Sequence, residues 1–558
     1  AASKPFSSNG YIRPKYLQSV RISLQPGETI QLTSPYGGPV QVGFSGESGL
    51  PTTLIFEHIG RHPYWRSSKD NASFATAMEQ ENFDWVEVAT PYFEVHSTLS
   101  KMKSTLLSNA NWTTAETLAT AINTYIHDYP HVLAGFQGDG ITQIPEIYDF
   151  ATQLGWTINE QTTVKHMNAD QATCGAGCSG NPYDANWAFN PVGHGDIHEL
   201  GHGLEKGRFR FSGWEGHAST NPYSYYSKSQ FFKKTGQEPH CQNLPFSSMY
   251  ETLQIAQNQP DPFTYMQQAN LTKWDNGVAI YIQMMMAAQA QGALKDGWHL
   301  LARLHLLERE FNRSQKSESE WLLHRDKLGF SHYSYDEIKS ISNNDWLAVS
   351  ISFVTRLDYG DYLNMWGISV SEKARIQLDQ HGFSKVILQY YKANGRDYCY
   401  GLDKPVLAIN GTMRWSGIDL GEKLGTDIAF GKPVTMSSYY NKNSFPASNA
   451  VDGKLSTFVH SHRGRSEWLE VDLEKGVPIN AIILSNRTDC CQERTENITL
   501  ELLDDSRNVL WSSGALGVQD EWLFDAQHGL PSSLVRYIRL ESSNQYINIA
   551  GLMAYSLP

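Results

Sequence analysis

The chain has 558 residues, more than one hydrophobic core organises, so several domains are expected. Hydrophobic residues make up 40% and charged residues 18%, with 44 Gly, 15 Trp and 28 Tyr, which excludes a disordered composition and suits surfaces that meet carbohydrate or protein. A formal net charge of -13 without a Lys/Arg cluster argues against a nucleic-acid partner.

In chain order, residues 1–100 read as a β-rich N-terminal domain. "VRISLQPGETIQLTSPYGGPVQVGFSG" alternates apolar and polar residues between Gly and Pro turns, the period-2 pattern of a half-exposed sheet. The opening "AASKPFSSNG" carries no basic and apolar signal segment, as is also expected of a mature chain that has lost one. Residues 101–395 read as a mainly helical domain and the catalytic candidate: "TTAETLATAINTYIHDY", "GVAIYIQMMMAAQAQGAL" and "GWHLLARLHLLEREFN" place apolar residues three and four apart. The second of these, residues 277–294, is too short and too glutamine-rich for a bilayer span and is expected as a buried helix, so no membrane span is expected. Residues 396–426 read as a linker or short β segment, and 427–558 as a β-sandwich. The expected class is a multi-domain α+β protein.

Six cysteines, Cys174, Cys178, Cys241, Cys399, Cys490 and Cys491, lack the paired thiolate spacing of a structural zinc site. Disulfides in an oxidising, extracellular compartment are the expectation. Seven Asn-x-Ser/Thr sequons, among them Asn71, Asn111 and Asn497, matter only in a eukaryotic secretory route.

The stretch "HELGHGLEKGRFRFSGWEGHASTNPYSYYS" carries the chemistry. On a helix His198 and His202 lie one turn apart on one face and both reach one ion, with Glu199 beside the open coordination position. A zinc hydrolase needs this set: the ion makes its bound water acidic, with a pKa of ~7, and the glutamate moves the proton. The plainer reading is a surface helix that happens to bear two histidines. His194, one turn earlier, reads as a packing or supporting residue. Asp196 reads either as a group orienting a ligand imidazole or as a helix N-terminal carboxylate.

The third ligand must lie downstream, and Leu204 to Arg208 offer no histidine at the compact metzincin spacing. Here the sequence resembles the enhancin-like, mucin-targeting zinc metallopeptidases, whose HExxH is followed, after a variable loop, by a glutamate ligand in a segment running Glu, three residues, Asn, one residue, Tyr-Ser. "HASTNPYS" has that spacing at Asn221, Tyr223 and Ser224, with His217 in the glutamate position. The resemblance implies either His217 or Glu215 as third zinc ligand, with register favouring His217. "SPYGG" and "GNPYDANWAF" resemble the family's N-terminal turn and substrate-side loop. Tyr223, Tyr225 and Tyr226 read as packing, or one of them as a donor to a tetrahedral oxyanion.

The second pattern is "NRTDCCQERTENITLEL". It resembles the F-type lectins, with a motif of His, 24 residues, Arg, one residue, Asp, four residues, Arg or Lys. His462, Arg487, Asp489 and Arg494 satisfy it, and Cys490 with Cys491 stand where the family's sugar-stacking disulfide lies. The resemblance implies a fucose-binding site; the plainer reading is a discoidin-like sandwich with structural salt bridges. "ASNAVDGKLSTFVHS" matches the family's cation loop at Asn449, Asp452 and Ser461. Lys454 replaces a usual oxygen ligand there, which makes calcium doubtful.

Together these readings describe a secreted zinc endopeptidase that cleaves mucin-like glycoproteins and is held on them through fucosylated glycans. The alternatives are a fucose-binding adhesin with a vestigial metal site and a zinc amidase acting on cell-wall peptides.

Overall fold

Alternating valines at Val86, Val88 and Val95 begin the first sheet of the computed structural model, which describes residues 21–33, 38–44, 51–169, 183–411, 415, 426–487, 490–543 and 545–556. Five strands form it in the order β1 (Tyr64–Trp65), β2 (Val86–Ala89), β3 (Phe93–Ser97), β4 (Lys165–Ala169) and β5 (Tyr183–Ala185). Only β2 and β3 are antiparallel; the other neighbours run parallel. One face presents Val86, Val88, Phe93, Val95 and Met167 to the core, all buried. The opposite face is polar, because the register sets Glu87 against His96 and Glu94 against His166.

This sheet corrects two expectations. It joins strands on both sides of residue 100, so no domain boundary falls there. Among the described residues from 21 to 63 no strand forms, and Ile22, Leu24, Leu32, Val40, Val42 and Phe44 stay exposed. Alternation alone does not make a strand: it needs a partner edge for its backbone groups and a core for its apolar side, and the described residues meet neither. Ser34 to Gly37 of "SPYGG", Gly180 to Pro182 of the loop motif, Cys174 and Cys178 lie outside the described residues.

The chain forms two compact units, one of residues 1–144, 158–205 and 223–231, the other of 145–157, 206–222 and 232–558. The first holds the five-stranded sheet and helix α1 (His194–Leu204), and helix α2 (His217–Thr235) is the next long helix in the chain. Within the second unit, α3 (Trp274–Ala290) is buried from Gly277 through Ala288, as an apolar helix in a protein core should be. Helix α4 (His299–Ser314) buries Leu300, Leu304, Leu307 and Phe311 on one stripe and packs against α5 (Asn343–Thr355). No helix of the described residues is long and apolar enough to cross a membrane.

Past residue 395, Val406–Ala408 pairs antiparallel with Gln389–Tyr391, and Cys241 bonds Cys399, so the expected linker includes a short β segment tied back to the helical region. The C-terminal residues form the expected sandwich. Its strands are β6 (Thr426–Asp427), β7 (Val434–Met436), β8 (Ser466–Val477), β9 (Ala481–Ser485), β10 (Ile498–Leu503), β11 (Val509–Ala515), β12 (Glu521–Phe524), β13 (Val535–Ser543) and β14 (Gly551–Ser556). One sheet runs β6-β14-β9-β12 and the other β7-β8-β13-β10-β11. Leu469, Leu540 and Leu500 line up across three paired strands, and with Val471, Ile538, Ile482 and Leu484 they fill the inside.

Candidate metal centre

Gly193 precedes α1 with an extended backbone, and the helix carries His194, His198, Glu199 and His202 in consecutive turns. The His198 and His202 rings are 4.7 Å apart between centroids, one turn of the same face. His217 opens α2. A ligand nitrogen from each of His198, His202 and His217 lies within 4.8 Å of the others, and all three side chains are half-buried.

Glu215 lies beside His217. Its carboxylate lies 3.1 Å from His217 Nδ1 and also accepts from the Trp274 backbone N–H at 3.3 Å. A carboxylate on one ring nitrogen fixes the orientation of an imidazole, as the outer partners of metal-binding histidines do. His202 is held the same way, its Nδ1 3.0 Å from Glu205. Glu205 is absent from the sequence reading; the signal was available, as a carboxylate three residues after a ligand histidine on one helix face.

The neighbours of the motif serve the scaffold. Asp196 is buried, accepts from the Trp187 indole at 3.1 Å and from the Asn190 N–H at 3.3 Å, and so anchors the preceding loop instead of a ligand imidazole. Burial pushes its carboxyl up to about 7. Gly195 is required here, since a Cβ would stand 2.9 Å from the Trp187 ring. His194 stacks on Tyr225 at 5.9 Å and packs against His198 at 5.3 Å. Tyr223, Tyr225 and Tyr226 are all buried, which agrees with packing.

The donor set fits zinc. Three imidazoles, two of them with Nδ1 held by carboxylates, are a competent ligand set that leaves a fourth position for water or substrate.

In the sandwich, Cys490 and Cys491 form a vicinal disulfide, with Cys491 in the left-handed region at φ 65°. The Arg487 guanidinium lies 3.6 Å from the centre of the Phe458 ring, and its Nη1 donates to Asn548 at 3.2 Å. Arg494 stacks over Tyr546 at 4.5 Å and its Nη1 lies 3.0 Å from His460 Nε2. The imidazole beside Arg494 is thus that of His460, two residues before His462. His462 is exposed, with its ring edge-on to Tyr440 and its backbone N–H bonded to Ser438. His460 packs against Tyr440, Phe445 and Tyr546. Asp489 lies outside the described residues.

The cation loop is satisfied from within. Asn449 donates to the Phe458 carbonyl, Asp452 accepts from the Lys454 N–H and the Thr457 hydroxyl, and Ser461 bonds the His462 carbonyl.

With the geometry in place, likeness to known proteins decides the class. Over 445 residues, 74% of this chain, the sequence is 27% identical to the immunomodulating metalloprotease of Pseudomonas aeruginosa. The chain is homologous to a metalloprotease. It spans about half the length of that relative, 47%. Two solved structures share the fold: IMPa metallopeptidase in complex with T-antigen, at TM-score 0.53 and 24% identity, and IMPa from Pseudomonas aeruginosa in complex with an O-glycopeptide, at 0.53 and 23%. Each alignment covers 62% of this chain and 41% of the other. Residues 449–520 match the family model described as a NedA-like, galactose-binding domain.

Proposed function

We propose that the chain is a secreted zinc endopeptidase that cleaves mucin-type O-glycosylated proteins and is held on them by a fucose-binding sandwich. The observation that carries the reading is the convergence of His198, His202 and His217, with Glu199 next to His198 on α1. Zinc bound there supplies a Lewis acid that makes water acidic near pH 7 and polarises a scissile carbonyl. Glu199 takes the water's proton and hands it to the leaving nitrogen. Glu205 and Glu215 hold the imidazoles of His202 and His217 in the orientation that binding needs.

The glycopeptide and T-antigen named for the structurally similar IMPa support an O-glycoprotein substrate. In the sandwich, Arg487 and Arg494 supply forked donors for sugar hydroxyls, and the exposed Cys490 with Cys491 supplies an apolar plate beside them. Tethering through that face raises the local concentration of scissile peptide. The Cys241 to Cys399 and Cys490 to Cys491 bonds support an extracellular location.

The test is digestion of a mucin-type glycoprotein by the wild type and Glu199→Ala at equal zinc loading. Fragments from the wild type alone support the reading. No fragments from either, with zinc bound, overturn it.

A further inference from the structure

A second group of metal-type ligands lies on the polar face of the five-stranded sheet, in the same compact unit as α1. Sheet register creates it: Glu94 and His96 are two apart on β3 and share a face, His166 is the β4 partner of Glu94, and Glu87 is the β2 partner of His96. His96 Nε2 lies 3.2 Å from His166 Nδ1 and 3.5 Å from Glu94 Oε2, and His166 Nδ1 lies 2.8 Å from the same oxygen.

From these contacts we infer a second site for a divalent zinc-class ion, ligated by His96 Nε2, His166 Nδ1 and Glu94. A tetrahedral ion with bonds of about 2.0 to 2.1 Å needs donor atoms about 3.3 to 3.4 Å apart, and the three separations bracket that value. The supporting shell is already built. Glu87, 6% exposed, holds His96 Nδ1 at 2.6 Å, which fixes the ring and turns Nε2 toward the other two donors. Glu87 is itself held by His62 Nε2 at 3.0 Å and the Trp85 indole at 3.2 Å.

Solvent reaches the group, since the His166 and Glu94 side chains are 31% and 30% exposed, so an ion has an entry path and room for a water as fourth ligand. Two imidazoles and one carboxylate favour zinc and its neighbours over calcium or magnesium, which take all-oxygen sets. Bound there, the ion clamps β3 to β4 and stabilises the sheet by mass action. A plain hydrogen-bonded histidine network is the competing account.

The experiment is zinc content of the full chain after loading with zinc chloride and dialysis, for wild type, His198→Ala, His166→Gln and the double variant. Two equivalents in the wild type, one in each single variant and none in the double variant support the site. Added zinc should then raise the Tm of His198→Ala and leave that of the double variant unchanged. One equivalent in the wild type, unaffected by His166→Gln, overturns the site and leaves the hydrogen-bonded network. One equivalent that survives His198→Ala and disappears in His166→Gln upholds the second site while overturning the metal centre at His198. If His166→Gln does not fold, Glu94→Gln, which keeps the side-chain shape, gives the same reading.

Discussion

His217 Nδ1 lies 3.1 Å from the Glu215 carboxylate, which also accepts from the Trp274 backbone N–H. The proposed metal centre gives the two residues different duties, the imidazole as ligand and the carboxylate as the group that orients it. His217→Ala should abolish stable zinc binding at this centre, whereas Glu215→Gln should retain it with affinity weakened about 10- to 100-fold. Competition with a chelator of known affinity measures both. Loss of the ion in Glu215→Gln with retention in His217→Ala would reverse the assignment.

Glu199 lies between two ligands yet is not one of the three converging donors. Glu199→Gln should therefore keep its zinc and lose about 10²- to 10⁴-fold in kcat, the span typical of proton transfer by a positioned carboxylate. Single-turnover cleavage of a synthetic O-glycopeptide, with metal assayed on the same sample, separates lost chemistry from lost metal.

Arg494 reaches His460, not His462. His460→Ala should weaken binding of a fucose-terminated oligosaccharide by roughly 10- to 100-fold, the worth of hydrogen bonding tied to a charged group. His462→Ala should change it by less than about threefold. Titration calorimetry on the two variants decides, and equal losses would restore His462 to the site.

His131 is fully buried, and desolvation pushes its pKa down to about 3, with its Nδ1–H donated to the His127 carbonyl. The folded state keeps the ring neutral while the unfolded chain protonates it near 6.5, so the unfolded state binds more protons below that pH. Stability should fall as pH drops from about 6.5 toward 3, by up to about 1.4 kcal/mol per pH unit for this group. Urea unfolding of the wild type and His131→Gln between pH 7 and 5 should show a flatter pH dependence in the variant, whatever its absolute stability. Parallel slopes would mean that the ring is protonated in the folded protein.

What could be read directly was whatever depends on local spacing. His198 and His202 stand four apart, and an α-helix alone puts them on one face. The apolar run in α3 marked a core helix, and the short strands and turns past residue 427 marked a sandwich, because period and burial are linked. The bond between Cys490 and Cys491 was implied by the resemblance to the F-type lectins.

Tertiary structure decided whatever depends on which strand or loop meets which. The N-terminal alternation has the pattern of strands, but strands exist only where a partner edge and a core receive them. The bond from Trp274 to Glu215 and the packing of His460 on Tyr440 and Tyr546 are contacts that no residue count contains. The His96 and His166 pair lies 70 residues apart in sequence and meets only through the register of β3 and β4. Backbone periodicity is encoded within a few residues; ligand convergence is encoded in the pairing of distant segments, and folding is what brings those together.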